Sequence, residues 1–224
     1  EYSRMAKLGE GVKLPYLVGT ALWMLFAYLG NWILPPLAWV LVLIFWFVVM
    51  PLWLKNKWQA VDGWKALAVG WMLMLPFWFA LQLLRPDTDA AVSLLAVMGL
   101  VWVADIFAYF SGKAYGKHKL APAISPGKSW EGAMGGAVCV LIYIIIVRNA
   151  GWLAFDWSWL ATLFFALVLT AVSVGGDLLE SWFKRVAGVK DSSSLLPGHG
   201  GVFDRVDSLI AVLSVYAAIH VLIN

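Results

Sequence analysis

The chain has 224 residues, of which 62% are hydrophobic and only 13% charged, with 15 tryptophans and a mean hydropathy of +0.83. An ordinary soluble domain is about 45–50% apolar and about 25% charged, and one of this length has too little interior to hide so much apolar surface. The composition therefore excludes a soluble globular protein and points to a polytopic membrane protein, while the single cysteine, Cys139, excludes a disulfide framework.

A membrane helix needs about 20 mostly apolar residues. Seven stretches meet that requirement: Leu14–Trp32, Ile33–Leu54, Trp64–Leu84, Ala90–Phe110, Gly132–Val147, Trp159–Glu180 and Val206–Ile223. None shows the weak alternation of a membrane barrel, so the expected fold is all-α, a transmembrane bundle of about seven helices. The short Asn31–Pro36 turn predicts a hairpin of the first two spans. The fifth span is short and is expected to begin inside the preceding loop. The basic residues then separate by side. Arg4, Lys7, Lys13, Lys55, Lys57, Lys65, Lys113, Lys117, Lys119, Lys128, Lys184, Arg185, Lys190 and Arg205 fall on alternate connections, which leaves only Arg85 and Arg148 of the 16 for the other side. By the positive-inside rule the long polar loops face the cytoplasm and the C-terminus lies outside. These cations set topology, so the net charge of +3 is not a nucleic-acid signal.

Two of the cytoplasmic connections carry more than topology. The first runs from Asp105 to Gly132, "DIFAYFSGKAYGKHKLAPAISPGKSWEG". Asp105 sits near the end of the fourth span, where a carboxylate is costly unless it faces a partner, a metal or water. In "SPGKSWEG", Ser129 is placed to cap a helix and Glu131 to sit in its first turn. Backbone N–H groups at such a start hold an anion, and a basic lipid-facing turn is the alternative. In "GGDLLESWFKR", Asp177, Glu180, Ser181 and Lys184 recur at i, i+3, i+4 and i+7 and share one helical face. Carboxylates beside phosphates suggest Mg²⁺, which takes oxygen ligands and keeps waters and phosphate oxygens; a structural Asp–Lys pair is the plain alternative.

The last stretch, "KDSSSLLPGHGGVFDRVD", runs from Lys190 to Asp207. Its glycines allow close backbone approach to a ligand. Asp204 and Asp207 stand three apart, beside Arg205, at the start of the last span. His199 is open to three readings: general base, phosphate donor or structural loop residue. The chain has no G-x-x-x-x-G-K-[ST] and no G-x-S-x-G, which argues against a P-loop enzyme and an α/β hydrolase. Carboxylates, cations and pliable backbone at one interface match the needs of phosphoryl or nucleotidyl transfer, where catalysis is positioning and electrostatics. The membrane setting suggests a lipid substrate.

The run Ser181 to Asp207 resembles, without a departure, the signature of the phosphatidate cytidylyltransferases, or CDP-diacylglycerol synthases. "GKHKLAPAISPGKSWEG" and "GDLLES" resemble further blocks of that family, and together the blocks span roughly the C-terminal half. The resemblance implies division into N-terminal transmembrane helices (1–110) and a C-terminal catalytic transmembrane region (111–224) with two cytoplasmic loops, 111–131 and 181–207. It implies further apolar helices in front, and hence an N-terminally truncated chain. It also implies the reaction of CTP with phosphatidate to give CDP-diacylglycerol and pyrophosphate, with Mg²⁺ and room for a second, monovalent cation such as K⁺. On this reading Asp177, Asp204 and Asp207 bind metal, with Glu180 or Asp105 completing or orienting that shell. Lys184, Arg185 and Lys190 bind the CTP phosphates or the leaving pyrophosphate. Lys128 and the Ser125–Ser129 turn cradle phosphate from the other side. Gly198, Gly200 and Gly201 let backbone approach nucleotide, and Ser181 and Arg205 join the substrate-binding set. His199 and Asp191 are matched positions, assigned to catalysis and to substrate respectively. The "GKHKLAP" block has a gammaproteobacterial shape, which implies a bacterial inner membrane, and the family implies a homodimer. The competing readings are a CTP-dependent polyprenol or dolichol kinase and an ion-coupled transporter. Transporter sites lie near the bilayer midplane in broken helices and often in inverted repeats, whereas these polar residues gather at one interface.

Overall fold

The computed structural model describes residues 1–59, 63–85, 88–198 and 200–223, with the side chains of residues 88–90 outside the description. A short helix, α1 (Tyr2–Met5), precedes α2 (Glu10–Leu29). The second span is continuous from Pro36 to Asn56 and consists of α3 (Pro36–Ile44), a π-helical turn (Phe45–Val49) and α4 (Met50–Asn56). Pro51 lacks the N–H that would bond the Phe47 carbonyl, and the π-helical turn falls just before it. Then come α5 (Gly63–Leu83) and α6 (Thr88–Tyr115), an antiparallel hairpin of β1 (Lys119–Ala121) and β2 (Ser125–Ser129), α7 (Trp130–Asn149), α8 (Trp159–Ala187) and α9 (Phe203–Ile223). Seven of the described helical stretches are long and apolar enough to cross a membrane. The chain is an integral membrane protein with the helical fold expected from its hydropathy.

Several boundaries move, each for a local reason. The sixth span does not stop at Glu180. Nothing breaks the helix until Gly188, whose left-handed conformation (φ 76°) closes it, so Ser181, Lys184 and Arg185 lie on α8 and not in a loop. The fourth span likewise runs on to Tyr115, and the polar connection after it pairs with itself as the hairpin, an element that hydropathy does not show. The fifth span starts directly from that hairpin at Trp130, capped by Ser129, whose Oγ accepts the Gly132 N–H at 3.2 Å. The turn after α2 is short, as expected, with Asn31 in the left-handed region (φ 50°). The interhelical side-chain contacts of α2 nevertheless run to α5: Trp71 donates to Thr20 at 2.8 Å and its ring packs on Tyr16 and Trp23.

Helix α9 is the axis of the bundle. It packs against α3, α5, α6 and α8, and Ala211, Val212, Leu213, Val215, Ala217 and Ala218 are completely buried. The closest helix pair is α6 with α7. In lipid such pairs gain little from hydrophobic burial and associate through close backbone packing of small residues. Here Ala104, Ala108 and Gly112 of α6 face Gly132 and Gly136 of α7. A Cβ built on Gly136 would lie 2.7 Å from the Ala104 carbonyl oxygen, and one on Gly132 would lie 2.7 Å from that of Ala108. The segments predicted to share one membrane face also meet one another: Trp182 Nε1 donates to the Trp58 carbonyl at 2.6 Å, and Arg185 Nε to that of Ile124 at 3.1 Å.

This packing generates a prediction. Gly136→Val pushes side-chain atoms into fixed backbone and is expected to destabilise the folded protein by about 1–3 kcal/mol, read as a lowered midpoint of unfolding in detergent. Gly127→Ala, at a position where a new Cβ meets nothing within 4 Å, is the matched control and should leave the midpoint unchanged.

Candidate active site

The polar stripe of α8 begins beside a glycine, and that glycine sets the first distance in the site. A Cβ on Gly176 would lie 3.0 Å from the Asp207 carbonyl oxygen and 2.8 Å from the Ala211 Cβ. Without it, α8 and α9 approach closely enough to bring Asp177 and Asp207 together. Asp105 enters from α6, ten residues before Tyr115, and Asp177 lies ten residues before Ala187. At 1.5 Å per residue both sit roughly 15 Å below the ends of their helices. The three aspartates interact electrostatically with one another, and Lys128 of β2 acts on Asp105 and Asp207. Lys128 Nζ pairs directly with Asp177 Oδ2, and the two side chains keep 25% and 30% of their surface exposed, so the cluster is open to a ligand. Ser181 Oγ donates to Asp177 Oδ1 at 3.2 Å, and the Ser208 N–H donates to Asp207 Oδ1 at 2.7 Å.

A second cluster lies beside it. Lys184 Nζ sits between Glu180 Oε2 at 2.6 Å and Asp204 Oδ1 at 2.8 Å. Glu180 is 2% exposed, so this is a largely buried ion triad. Asp204 Oδ2 accepts the Ser192 N–H at 2.9 Å, Ser192 Oγ at 2.8 Å and the Gly201 N–H at 2.7 Å. Its carboxylate thus folds the connection between α8 and α9 back onto the start of α9. Leu196 N–H bonds the Gly200 carbonyl at 2.9 Å to close a tight turn, with Gly198 and Gly200 both left-handed (φ 74° and 81°). A Cβ on Gly200 would stand 2.8 Å from Asp204 Oδ2, so glycine is needed there for space as well as conformation.

The residues singled out in the sequence therefore divide. Asp105, Asp177, Asp207, Lys128 and Ser181 come together. Asp204, Glu180 and Lys184 form the adjoining triad, with Asp204 engaged by the loop. Ser125 is paired with Ala121 in the hairpin register, while Ser129 is buried and spends its hydroxyl capping α7. Arg185 ties α8 to the hairpin. Lys190, Asp191 and Arg205 are exposed at the same end. The Gly201 N–H is taken by Asp204. His199 lies outside the described residues. Sequence reasoning passed over Ser192, which is 1% exposed and donates both its N–H and its hydroxyl to Asp204 Oδ2. It also passed over Glu1 and Arg4, whose contacts with the same loop have no local signal.

The donor set can be tested against Mg²⁺. Among the described residues no three carboxylates, imidazoles or thiolates stand close enough together to enclose an ion. Asp105, Asp177 and Asp207 do provide hard oxygen donors in mutual electrostatic range and open to ligand. That fits the mode in which Mg²⁺ is held by one or two carboxylates and completes its shell with water and substrate phosphate.

The sequence model of the cytidylyltransferase family matches residues 1–223. The chain belongs to this family. It is similar to phosphatidate cytidylyltransferases of Pseudomonas aeruginosa (49% identical, over 70% of this chain and 57% of the relative), Haemophilus influenzae (52%, over 55% and 44%) and Brucella abortus (41%, over 70% and 57%). The chain spans about half the length of the curated relatives it matches. The two clusters differ in access, one partly exposed around Lys128 and Asp177, the other buried around Lys184 and tied to the loop.

The two lysines should then differ in their effect on folding. Lys184→Met leaves Glu180 and Asp204 as uncompensated, largely buried anions and is expected to cost about 3–5 kcal/mol. Lys128→Met disrupts a partly exposed pair and should cost no more than about 1 kcal/mol. Unfolding of both variants in the same detergent checks the order.

Proposed function

We propose that this chain carries out nucleotidyl transfer at a membrane surface: CTP and phosphatidate give CDP-diacylglycerol and pyrophosphate. The observation that carries the reading is the partly exposed pair of Asp177 and Lys128, with Asp105 and Asp207 of two further helices in electrostatic range of it. The names of its relatives supply the substrates.

On this reading a phosphatidate oxygen attacks the α-phosphorus of CTP in line, the new P–O bond forms, and the bond to pyrophosphate breaks. The nucleophile is already an anion, so no strong base is required. The obstacle is bringing two highly charged phosphates together. Asp177 and Asp207, with Asp105 nearby, would hold Mg²⁺, which when bound would supply charge neutralisation there. Lys128 contributes a fixed positive charge at the mouth of the cluster and restrains Asp177. Ser181 orients that same carboxylate. Lys184 holds Asp204, and through it the loop that bears Lys190 and Asp191, so the exposed Lys190 stands beside incoming phosphate. This face is assigned to the cytoplasm from the bias of the basic residues, and the membrane to a bacterial inner membrane from the resemblance of the "GKHKLAP" block and the bacterial relatives.

The test is pyrophosphate release by purified full-length protein in mixed micelles. Release is expected to require CTP, phosphatidate and Mg²⁺ together, and to fall by at least about 100-fold in Asp177→Asn, the scale of losing one key electrostatic group. Formation of CDP and a lipid phosphate from a lipid alcohol, without pyrophosphate, would replace this reading by a CTP-dependent lipid kinase. Near-normal turnover of Asp177→Asn at saturating Mg²⁺ would remove Asp177 from the metal shell.

A further inference from the structure

Among the described residues, long-range polar contacts join the first residues of the chain to the loop between α8 and α9 and the start of α9, across 188 to 202 positions. Glu1 Oε1 accepts from Ser193 Oγ at 2.6 Å and from the Val202 N–H at 3.0 Å, and Oε2 accepts from the Phe203 N–H at 2.6 Å. Phe203 is the first residue of α9, and the N–H groups of a helix's first turn have no partner within the helix. Glu1 thus caps α9 from a distant part of the chain, with its charge at the favourable end of the helix dipole. Burial disfavours its charged form, but the bonds from Ser193, Phe203 and Val202 outweigh this and hold its carboxyl below the usual value.

Arg4 completes the grip. Its Nη2 donates to the Ser192 carbonyl, while the N–H and hydroxyl of Ser192 both point to Asp204. Ser192 is therefore clamped on every polar group, between Arg4 on one side and the carboxylate that folds the loop on the other. The segment that supplies Glu1 and Arg4 is itself anchored. Tyr2 is buried, its hydroxyl donates to the Ala66 carbonyl on α5 at 2.9 Å, and its ring stands edge-on to Phe183 of α8 at 5.8 Å.

We propose that Glu1 and Arg4 are positioning residues of the active site: with Tyr2 as anchor, they form a strap that fixes the α8–α9 loop and the start of α9. This rests on the nucleotidyl-transfer reading above. Neither residue touches the open carboxylate cluster. Each acts through groups that touch Asp204 or begin the helix that carries Asp207.

The experiment uses the full-length protein and its Arg4→Ala, Arg4→Lys and Glu1→Ala variants, with two readouts. Hydrogen exchange of peptides covering residues 190–203 reports the loop directly. Steady-state kinetics reports its consequence. Both alanine variants are expected to exchange faster in this loop and to lose about 10-fold in kcat/KM for CTP, within the range that misplaced groups cost, while the KM for phosphatidate stays within about two-fold. Arg4→Lys retains a donor for the single carbonyl and should recover most of both losses. Unchanged exchange in both alanine variants would overturn the strap. Faster exchange with unchanged kinetics would overturn the positioning role. If the unmodified protein shows no nucleotidyl transfer, the functional reading falls separately and the exchange result alone decides whether the strap exists.

Discussion

A helix enclosed by protein on every side cannot let its polar residues reach water or lipid headgroups unaided. Helix α9 is buried throughout Ser208–Ala218, and the turns just before that stretch carry Asp204 and Asp207. Each carboxylate must be met by something that another segment delivers. Much of the polar architecture at this end of the bundle answers that demand. Lys184 comes from α8, backbone and hydroxyl donors from the loop, Lys128 from the hairpin, and the cap on α9 itself from Glu1.

The two aspartates meet different fates although they stand on one helical face, one turn apart. Asp204 lies at the mouth of the bundle, where the returning loop can wrap it, and its oxygens are engaged by one cation and three N–H or O–H donors. Asp207 lies one turn deeper, beneath the loop, and faces Asp177 and Asp105. There, among the described residues, three carboxylates lie in electrostatic range of one lysine, which pairs with Asp177. In a medium of low dielectric, such an excess of like charge calls for further cations or for protons. The closed cluster is filled by Lys184 and the loop, whereas the open one keeps part of its surface exposed to a ligand. The proposed chemistry belongs at the second for that reason.

How much of this was legible in the sequence follows from the range of the forces involved. The seven spans were legible because membrane insertion is written into local hydropathy, and the Ser129 cap because capping is a matter of neighbouring residues. The stripe Asp177–Glu180–Ser181–Lys184 was readable as one face, since helical spacing fixes it. Its partition was not, because which carboxylate meets Lys128 and which meets Lys184 depends on where two other segments arrive. The extension of α8 to Ala187 is invisible to hydropathy, which ends a span where polarity begins, whereas a helix ends where its backbone does, at Gly188. The hairpin was missed because a polar run of lysines and prolines gives no periodic signal. Glu1 and Arg4 lie nearly the whole chain away from the residues they hold, beyond any local pattern.

The glycines deserve the same standing as the charges in accounting for the site. Lipid offers helices little hydrophobic incentive to approach, so their separation is set by what their surfaces allow. At Gly176 the surface allows α9 to come against α8, and one residue further on Asp177 is within electrostatic range of Asp207. At Gly132 and Gly136 it allows α7 against α6, which brings the hairpin that precedes α7 alongside the helix that carries Asp105. A charged side chain on a wider-spaced pair of helices would be just as costly to bury and would have no partner in reach. The carboxylates give the site its chemistry, and the missing side chains of these glycines give it the distances at which that chemistry works.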